Sequence, residues 1–423
     1  MAFPLLLLCI VLLFNRPGDW MPALAGLPIF QVAILVCLAL SVGEFLFRVQ
    51  ATSAARTPVS VCVNGLLVLV TLSGLANGSS PDVISDFAKA WVLYFLVLAL
   101  VDSPQRLSTT VVGTAVSIFG IGLLMVLDHH TGMFGGSAVN EGGILRAQAV
   151  GGANFDANDT AALLVVAVLI FLSTALDSKS RILRWLCITF AIVSLYAIQL
   201  CNSRGSLVAL ITGLVTYVYL RWGTKGLKWG ALLLPIMVAM VATDRMTDVS
   251  AIQTGTGQSR MQFWSIALTL FLQNPILGIG PGEFVNHNGM ACHNSFLQAF
   301  AELGFVGGAL FVGALYFAIA SSYRVVEICR SQDAAAEPNF DPLTYTIPTL
   351  TAAYSASLMT LNHLYGTHTY LILSLSTVAT FCYSGREAHE TTVIEGSLIF
   401  RLFVVACGFI ALTYVCCRVL VRW

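Results

Sequence analysis

His293 stands in the run MACHNSFLQAFAELGFVGG, directly after NPILGIGPGEFVNHNG, in which Gly278, Gly280 and Gly282 surround Pro281. Glycines at that density forbid a continuous helix and let the backbone come close to a bound group. Apolar residues resume near His293 and continue through Leu303, so His293 falls where a helix starts again. Exposed N–H groups at such a start favour an anionic ligand. Asn294 follows as a supporting residue, and His287 in the VNHNG turn is the second histidine of the stretch. Glu283 and Glu302 could orient His293 or serve as acids. Paired carboxylates are a glycoside-cleaving arrangement, but a long loop separates these two.

Three arginines supply the complementary charge. Arg204 lies in CNSRGS, a tight connection between two apolar runs, with Ser203 before it and Gly205 after it. Arg260 opens SRMQFWSIALTLFLQ, and Arg146 precedes GGANFDANDT. A guanidinium is planar, permanently charged and bidentate, which suits phosphate oxygens better than lysine does. The competing role for each is to anchor a helix end at a headgroup layer. Asp128, His129 and His130 are adjacent ligand types, but neighbouring side chains seldom converge on one ion, so they read as helix-end residues and no metal site is expected.

The elements that must position these residues are membrane helices. Hydrophobic residues make up 57% of the 423-residue chain and charged residues 10%, and the mean hydropathy is +0.84. A soluble domain of that composition would expose very large apolar patches. Net charge is zero, which suggests no nucleic-acid partner. Eleven cysteines without CxxC spacing read as small apolar packing residues. Cys201 and Cys292 are the exceptions, because both fall near candidate residues and a bridge between them is possible.

A spanning helix needs roughly 20 apolar residues, and the sequence offers about twelve or thirteen such segments. They begin with 3–14, 27–47, 59–75, 87–101, 108–127, 160–176 and 182–200, and continue with 206–220, 227–243, 303–323, 343–365, 370–383 and 398–419. The first is short and lacks a positive flank, so it reads as a retained helix although Ala23-Leu24-Ala25 resembles a processing site. The fold class is therefore an all-α polytopic membrane protein. Three regions are expected: N-terminal helices over 1–127, a core over 128–322 and C-terminal helices over 323–423. With the N-terminus inside, Arg48, Arg56, Arg106, Lys179, Arg181, Arg184, Arg221, Lys225, Lys228, Arg324, Arg330 and Arg386 fall in cytoplasmic loops, twelve of the 21 basic residues. Arg16, Arg146, Arg204, Arg245 and Arg260 are left outside, with two long outward loops at 128–159 and 244–302. SRMQFWSIALTLFLQ suits a helix in or near the interface. A thirteenth span would leave Arg418 and Arg422 outside, which is the weak point of the scheme. Gly304 and Gly308 have the small-xxx-small spacing of close helix packing.

NPILGIGPGEF followed by HNSFLQAFAELGFVGG resembles the outward loop of the O-antigen ligase and polymerase superfamily, bacterial membrane enzymes that move glycans from a polyprenyl pyrophosphate carrier. The resemblance is strong in this loop and weaker from Arg146 to Gly205. It implies a GT-C-like fold in the bacterial inner membrane with its active site facing the periplasm. It also implies that Arg204 and Arg260 bind the lipid-linked pyrophosphate and that His293 is the catalytic base. Arg146 is carried over more loosely, because this chain reads FDAND and lacks the proline of the family's turn. The implied reaction is a metal-independent, inverting glycosyl transfer without a cofactor. The donor would be an undecaprenyl pyrophosphate-linked glycan, and the acceptor a hydroxyl of lipid A-core. A growing glycan or a protein hydroxyl are the alternative acceptors. The wording of the His293 loop favours the ligase, and the RPGDW turn resembles ligase-like proteins of exopolysaccharide systems. A transporter of the same lipids is the competing class, but the centres of the spans are almost free of charged residues, whereas transporters place them at the midplane.

Overall fold

The computed structural model describes residues 2–51, 56–136, 138–141, 143–151, 155–243, 246, 256–333, 341–384 and 396–421. Arg245, Arg386 and Arg422 lie outside the described residues, as do parts of the GGANFDANDT run and of the loop after Thr243. Among the described residues the protein is all-α apart from one short hairpin. Its helices are α1 (Ala2–Asn15), α2 (Pro17–Trp20), α3 (Ile29–Ala51), α4 (Pro58–Asn77), α5 (Pro81–Leu100), α6 (Pro104–Thr131), α7 (Ala157–Asp177) and α8 (Arg181–Cys201). They continue with α9 (Arg204–Val241), α10 (Thr256–Gln273), α11 (Glu283–Asn288), α12 (Ser295–Asp333), α13 (Leu343–Leu358), α14 (Thr367–Ser384) and α15 (Gly396–Leu420). Strands β1 (Val139–Glu141) and β2 (Ile144–Arg146) pair antiparallel, with Val139 opposite Arg146.

Ten helices among the described residues are long and apolar enough to cross a membrane. The twelve or thirteen expected segments differ from these at three places. Segments 206–220 and 227–243 are the two parts of α9, divided at Gly223 (φ +64°) within the gap expected between them, but they contribute one candidate span, Arg204–Leu232. The segment expected over 343–365 stops as a helix at Leu358, so α13 has 16 residues. Helix α14, THTYLILSLSTVATFCYS, has enough length, but its Ser and Thr residues dilute its hydropathy. Their hydroxyls bond inward to the helix's own carbonyls, as in Thr377 to Leu373 and Thr380 to Ser376.

The chain divides into two compact units. The first holds residues 1–42, 100–247 and 322–357. Helix α7 is its centre and is buried continuously from Thr160 to Phe171. It packs on α6, α8 and α9. A helix apolar on every face has to be enclosed, and here Gly213 of α9 lets Leu169 of α7 press against backbone that a Cβ would block. Helix α1 buries Leu6, Cys9, Ile10 and Phe14 and packs along α6. At the other end of α7, Asp177 forms a two-pronged pair with Arg221, with N–O distances of 2.7 and 2.6 Å.

The second unit holds residues 43–99, 248–321 and 358–423. Its core around the glycine-rich stretch contains Ala267, Leu268, Ile279, Phe284, Cys292, Leu297, Ala301 and Cys417, with Phe263, Trp264 and Phe409 against them. Helix α10 therefore forms where the SRMQFW pattern predicts, and one face of it is packed into this core. A hydroxyl chain ties three helices of the unit together. It runs from Ser60 to Tyr94 at 2.9 Å and from Tyr94 to Thr377 at 3.1 Å.

Candidate active site

Two groups of predicted site residues fall in two different units: Arg146, Ser203 and Arg204 in the first, and Arg260, Glu283, His293, Asn294 and Glu302 in the second. In the first, Asn202 ends α8 in the left-handed conformation and Ser203 begins α9. The buried Ser203 hydroxyl accepts from Ser206 N at 3.4 Å and from the Ser206 hydroxyl at 3.1 Å, the pattern of an N-cap. Arg204 is then the first residue of α9, in the part that runs to the break at Gly223. A cation at that position opposes the helix macrodipole unless an anion joins it.

Arg146 has a different setting. It is buried, its Nε donates to the Cys201 carbonyl at 2.9 Å and its Nη2 to Asn158 Oδ1 at 2.7 Å. The next residue adds Ala147 N to the Leu200 carbonyl at 3.1 Å. The hairpin thus satisfies carbonyls that the end of α8 would leave unpaired. The FDAND run is the N-terminus of α7, with Asp156 and Asp159 forming a capping box. Arg146 holds the turn that presents Arg204 by gripping both helix ends. Asn158 is a residue that sequence reasoning missed, although its position inside a D-x-x-D cap was a usable signal. Asp128 accepts from Phe134 N at 2.7 Å and Gly136 N at 3.3 Å, and His130 meets the Tyr196 hydroxyl at 2.9 Å, so both act at the end of α6 as expected of helix-end residues.

In the second unit the glycine-rich stretch is a strap laid across a break in α12. Gly304 has φ +72°, which interrupts that helix and frees carbonyls on either side. Phe305 N turns to the Pro275 carbonyl at 2.8 Å, while Ile279 N and Gly280 N take the carbonyls of Ala301 at 3.0 Å and Glu302 at 3.1 Å. Cβ atoms at Gly278 or Gly304 would collide with backbone, Glu302 for the first and Ile276 for the second. Close backbone crossing at positive φ explains Gly304 better than the helix-packing spacing expected from Gly304 and Gly308. Gly308 serves packing, but within its own helix, where Phe300 fills the space a Cβ would need.

Glu302 locks the strap. It is fully buried, and its carboxylate accepts from Gly282 N at 2.9 Å, Phe284 N at 3.3 Å, Gln298 Nε2 at 3.2 Å and the Tyr365 hydroxyl at 2.7 Å. Glu283 is engaged locally with Asn286 at 2.8 Å. His287 caps its own short helix, its Nδ1 3.0 Å from the Glu283 carbonyl.

His293 follows as the last residue before the α12 cap, in the left-handed conformation with φ +52°. That conformation is uncommon outside glycine and carries a cost that the surroundings must offset. Asn362 offsets it: its Oδ1 accepts from His293 N at 2.8 Å, and its Nδ2 lies 3.3 Å from His293 Nδ1. A second tie runs from the Ser295 hydroxyl to the Leu361 carbonyl at 2.7 Å and from His363 N to the Ser295 hydroxyl at 2.8 Å. Asn294 is the cap of α12, its Oδ1 accepting from Phe296 N at 3.1 Å and Leu297 N at 3.2 Å. Its Nδ2 is buried without an acceptor among the described residues. Arg260 is half-buried on α10. Phe263, one turn further on, approaches the His293 ring with centroids 6.5 Å apart, so that face of α10 borders the histidine.

Asn362 and Tyr365 were not found from the sequence because the segment over 343–365 reads as one span. The signal present was the polar run NHLYGTH. Cys201 and Cys292 are both buried free thiols. Burial pushes the Cys292 thiol well above its ordinary range.

Residues 189–312 match the family model described as O-antigen ligase. The matched segment contains Ser203, Arg204, Arg260, the whole strap, His293, Asn294 and Glu302, while Arg146 and Asn362 lie outside it. No curated protein matches the chain. This segment, from which the glycine strap and the capped histidine are built, is what likens the chain to the O-antigen ligase family, and its apolar helices make it a multi-pass membrane protein.

Proposed function

We propose that the protein is a glycosyltransferase of the bacterial inner membrane that moves a glycan from a polyprenyl pyrophosphate carrier to an acceptor hydroxyl on the periplasmic face, and that the acceptor is lipid A-core. The observation that carries the reading is the start of α12. There a strained His293 and a buried Asn294 Nδ2 without an acceptor among the described residues stand at a helix N-terminus, and Phe263 of the Arg260-bearing helix borders the histidine. Such a set suits phosphate oxygens. Arg204 is assigned to pyrophosphate binding on its own chemistry and on the family resemblance. Arg146 is assigned to holding the turn that carries it.

In the transfer, the bond from the anomeric carbon to the pyrophosphate oxygen breaks and a bond to the acceptor oxygen forms from the opposite face, which inverts the centre. Charge accumulates on the departing pyrophosphate, where fixed donors in a water-poor site contribute several kcal/mol, on the order of 3–4 per donor. The carrier is already activated, so the reaction as proposed draws on no nucleotide or metal.

The test uses purified protein with lipid-linked glycan and three separate acceptors: lipid A-core, the glycan itself and a peptide carrying Ser and Tyr. Transfer to lipid A-core alone is expected. Chain extension would make the protein a polymerase, and peptide modification an O-oligosaccharyltransferase. Arg204→Lys is expected to lose most transfer although charge is kept, because the bidentate fork is gone. Arg260→Ala is expected to weaken donor binding as well as turnover.

A further inference from the structure

Helix α9 folds back on itself at Gly223. A Cβ added at Gly226 would lie 3.0 Å from the Val218 carbonyl oxygen, and one at Gly230 would lie 3.3 Å from Val218 Cγ1. Along a continuous α-helix, residue 218 would stand roughly 12 Å from residue 226 and roughly 18 Å from residue 230. Val218 therefore fills the groove between the two glycines, and that face of the second part of α9 is packed. The face turned away from it carries Lys225, Lys228, Trp229 and Leu232, at the i, i+3, i+4, i+7 spacing that makes one stripe. All four are exposed, Trp229 by 70% and Leu232 by 62%. Together they line a cleft of about 470 Å³.

The stripe changes character along its length. Its lysines are nearest the turn, Trp229 follows, and Leu232 lies roughly 10 Å from Lys225 along the axis. That reach carries it past a headgroup layer, which is roughly 5–8 Å deep, and onto the acyl chains. A phospholipid presents the matching order: a charged phosphate, an interfacial zone that tryptophan favours, then hydrocarbon. No carboxylate lines the cleft. Asp177, the acid that α7 brings to this turn, is taken up by Arg221 through contacts of 2.7 and 2.6 Å, so the charge of the two lysines is not cancelled. We propose that this stripe is a binding site for one anionic phospholipid of the surrounding bilayer, with Lys225 and Lys228 on its phosphate and Trp229 and Leu232 along its glycerol and acyl chain. The inference needs only that the protein spans a membrane, and it holds for either orientation. Free phosphate would use the lysines and leave Trp229 and Leu232 idle. A second copy of the chain would bring like charges together across the stripe.

The test uses the whole chain, delipidated in a neutral detergent, with phosphatidylglycerol or phosphatidylcholine brominated along the acyl chain. Bromine quenches indole fluorescence on contact, and the share of Trp229 is the difference between the unsubstituted protein and Trp229→Phe. Saturable quenching of Trp229 is expected, with an affinity for the brominated phosphatidylglycerol about thirtyfold above that for the phosphatidylcholine, the effect of two lysines near an anionic headgroup. Lys225→Gln combined with Lys228→Gln is expected to remove that preference and keep the melting temperature, since both side chains are exposed. Lys179→Gln combined with Arg181→Gln, which removes exposed cations of the turn before α8, is expected to leave the preference in place. Equal affinity of the unsubstituted protein for the two lipids overturns the proposal, whether or not any variant folds. Equal loss in the two double variants also overturns it, because it would show a diffuse basic belt and no site. Displacement of the brominated phosphatidylglycerol by millimolar inorganic phosphate overturns the lipid assignment in favour of a free anion. The independent measurement is the mass of the intact complex. One phosphatidylglycerol retained per chain is expected, and its retention by the Lys225 and Lys228 double variant refutes the site.

Discussion

Glu302 is a carboxylate without solvent access in an otherwise apolar helix, and its four donors identify its task. Two of those donors are backbone N–H groups of the glycine strap, so removal of the acceptor leaves groups that cannot find another. Glu302→Ala is expected to cost about 1–3 kcal/mol for each buried donor left without an acceptor, read as a fall in melting temperature in detergent. Glu302→Gln keeps the shape but turns one oxygen into a donor facing donors, and a smaller fall is expected. Unchanged melting of Glu302→Gln together with lost transfer would make Glu302 a chemical group and not a lock. Its carboxylate is taken up by these four donors, while Asn362 and Phe263 are among the neighbours of the His293 ring. Spacing along the chain placed both residues in one stretch, as it should. It could not supply Asn362, which is 69 residues away and accepts the His293 backbone N–H.

At the level of the element, the glycine strap and the broken helix are two halves of one device. A helix broken in an apolar environment leaves carbonyls and N–H groups that no water can satisfy. The strap supplies them, through Ile279, Gly280 and the Pro275 carbonyl. The sequence showed that Gly278, Gly280 and Gly282 forbid a helix, and that much is borne out by their positive φ values. It did not show that Gly304 has the same property, because an isolated glycine in an apolar run reads equally as a packing position. Gly289 provides the control: it also has positive φ, at +72°, but a Cβ there meets nothing within 4 Å. Gly278→Ala and Gly304→Ala are therefore expected to abolish folding or lower the melting temperature sharply. Gly289→Ala should cost only the conformational penalty of about 1–2 kcal/mol. Similar losses at all three positions would remove the backbone-crossing explanation.

For the molecule as a whole, the apolar composition made the membrane class legible at once, and the division of α9 at Gly223 falls in the gap expected there, while the extents of α13 and α14 required coordinates. Hydropathy measures the mean of a window and is blind to hydroxyls that bond within their own helix. What the sequence does determine is the distribution of charge. Arg221, Lys225 and Lys228 follow one another around the Gly223 break, with the exposed rings of Trp222 and Trp229 beside them, a grouping for which the positive-inside rule predicts a cytoplasmic headgroup layer. The orientation that follows puts Lys179 inside and Met290 outside, and both positions are exposed. Cysteines placed singly at these two positions test it. The seven buried native thiols can stay and the four partly exposed ones, Cys329, Cys382, Cys407 and Cys416, are replaced. The thiolate is the reacting species, and burial pushes the Cys292 thiol upward, so this neighbour of Met290 stays protonated and silent at the pH of labelling. In cells with a permeabilised outer membrane, an impermeant maleimide is expected to modify Met290→Cys and to spare Lys179→Cys until the inner membrane is opened. Labelling of Lys179→Cys alone would invert the topology, move His293 to the cytoplasmic side and remove the periplasmic transfer with it.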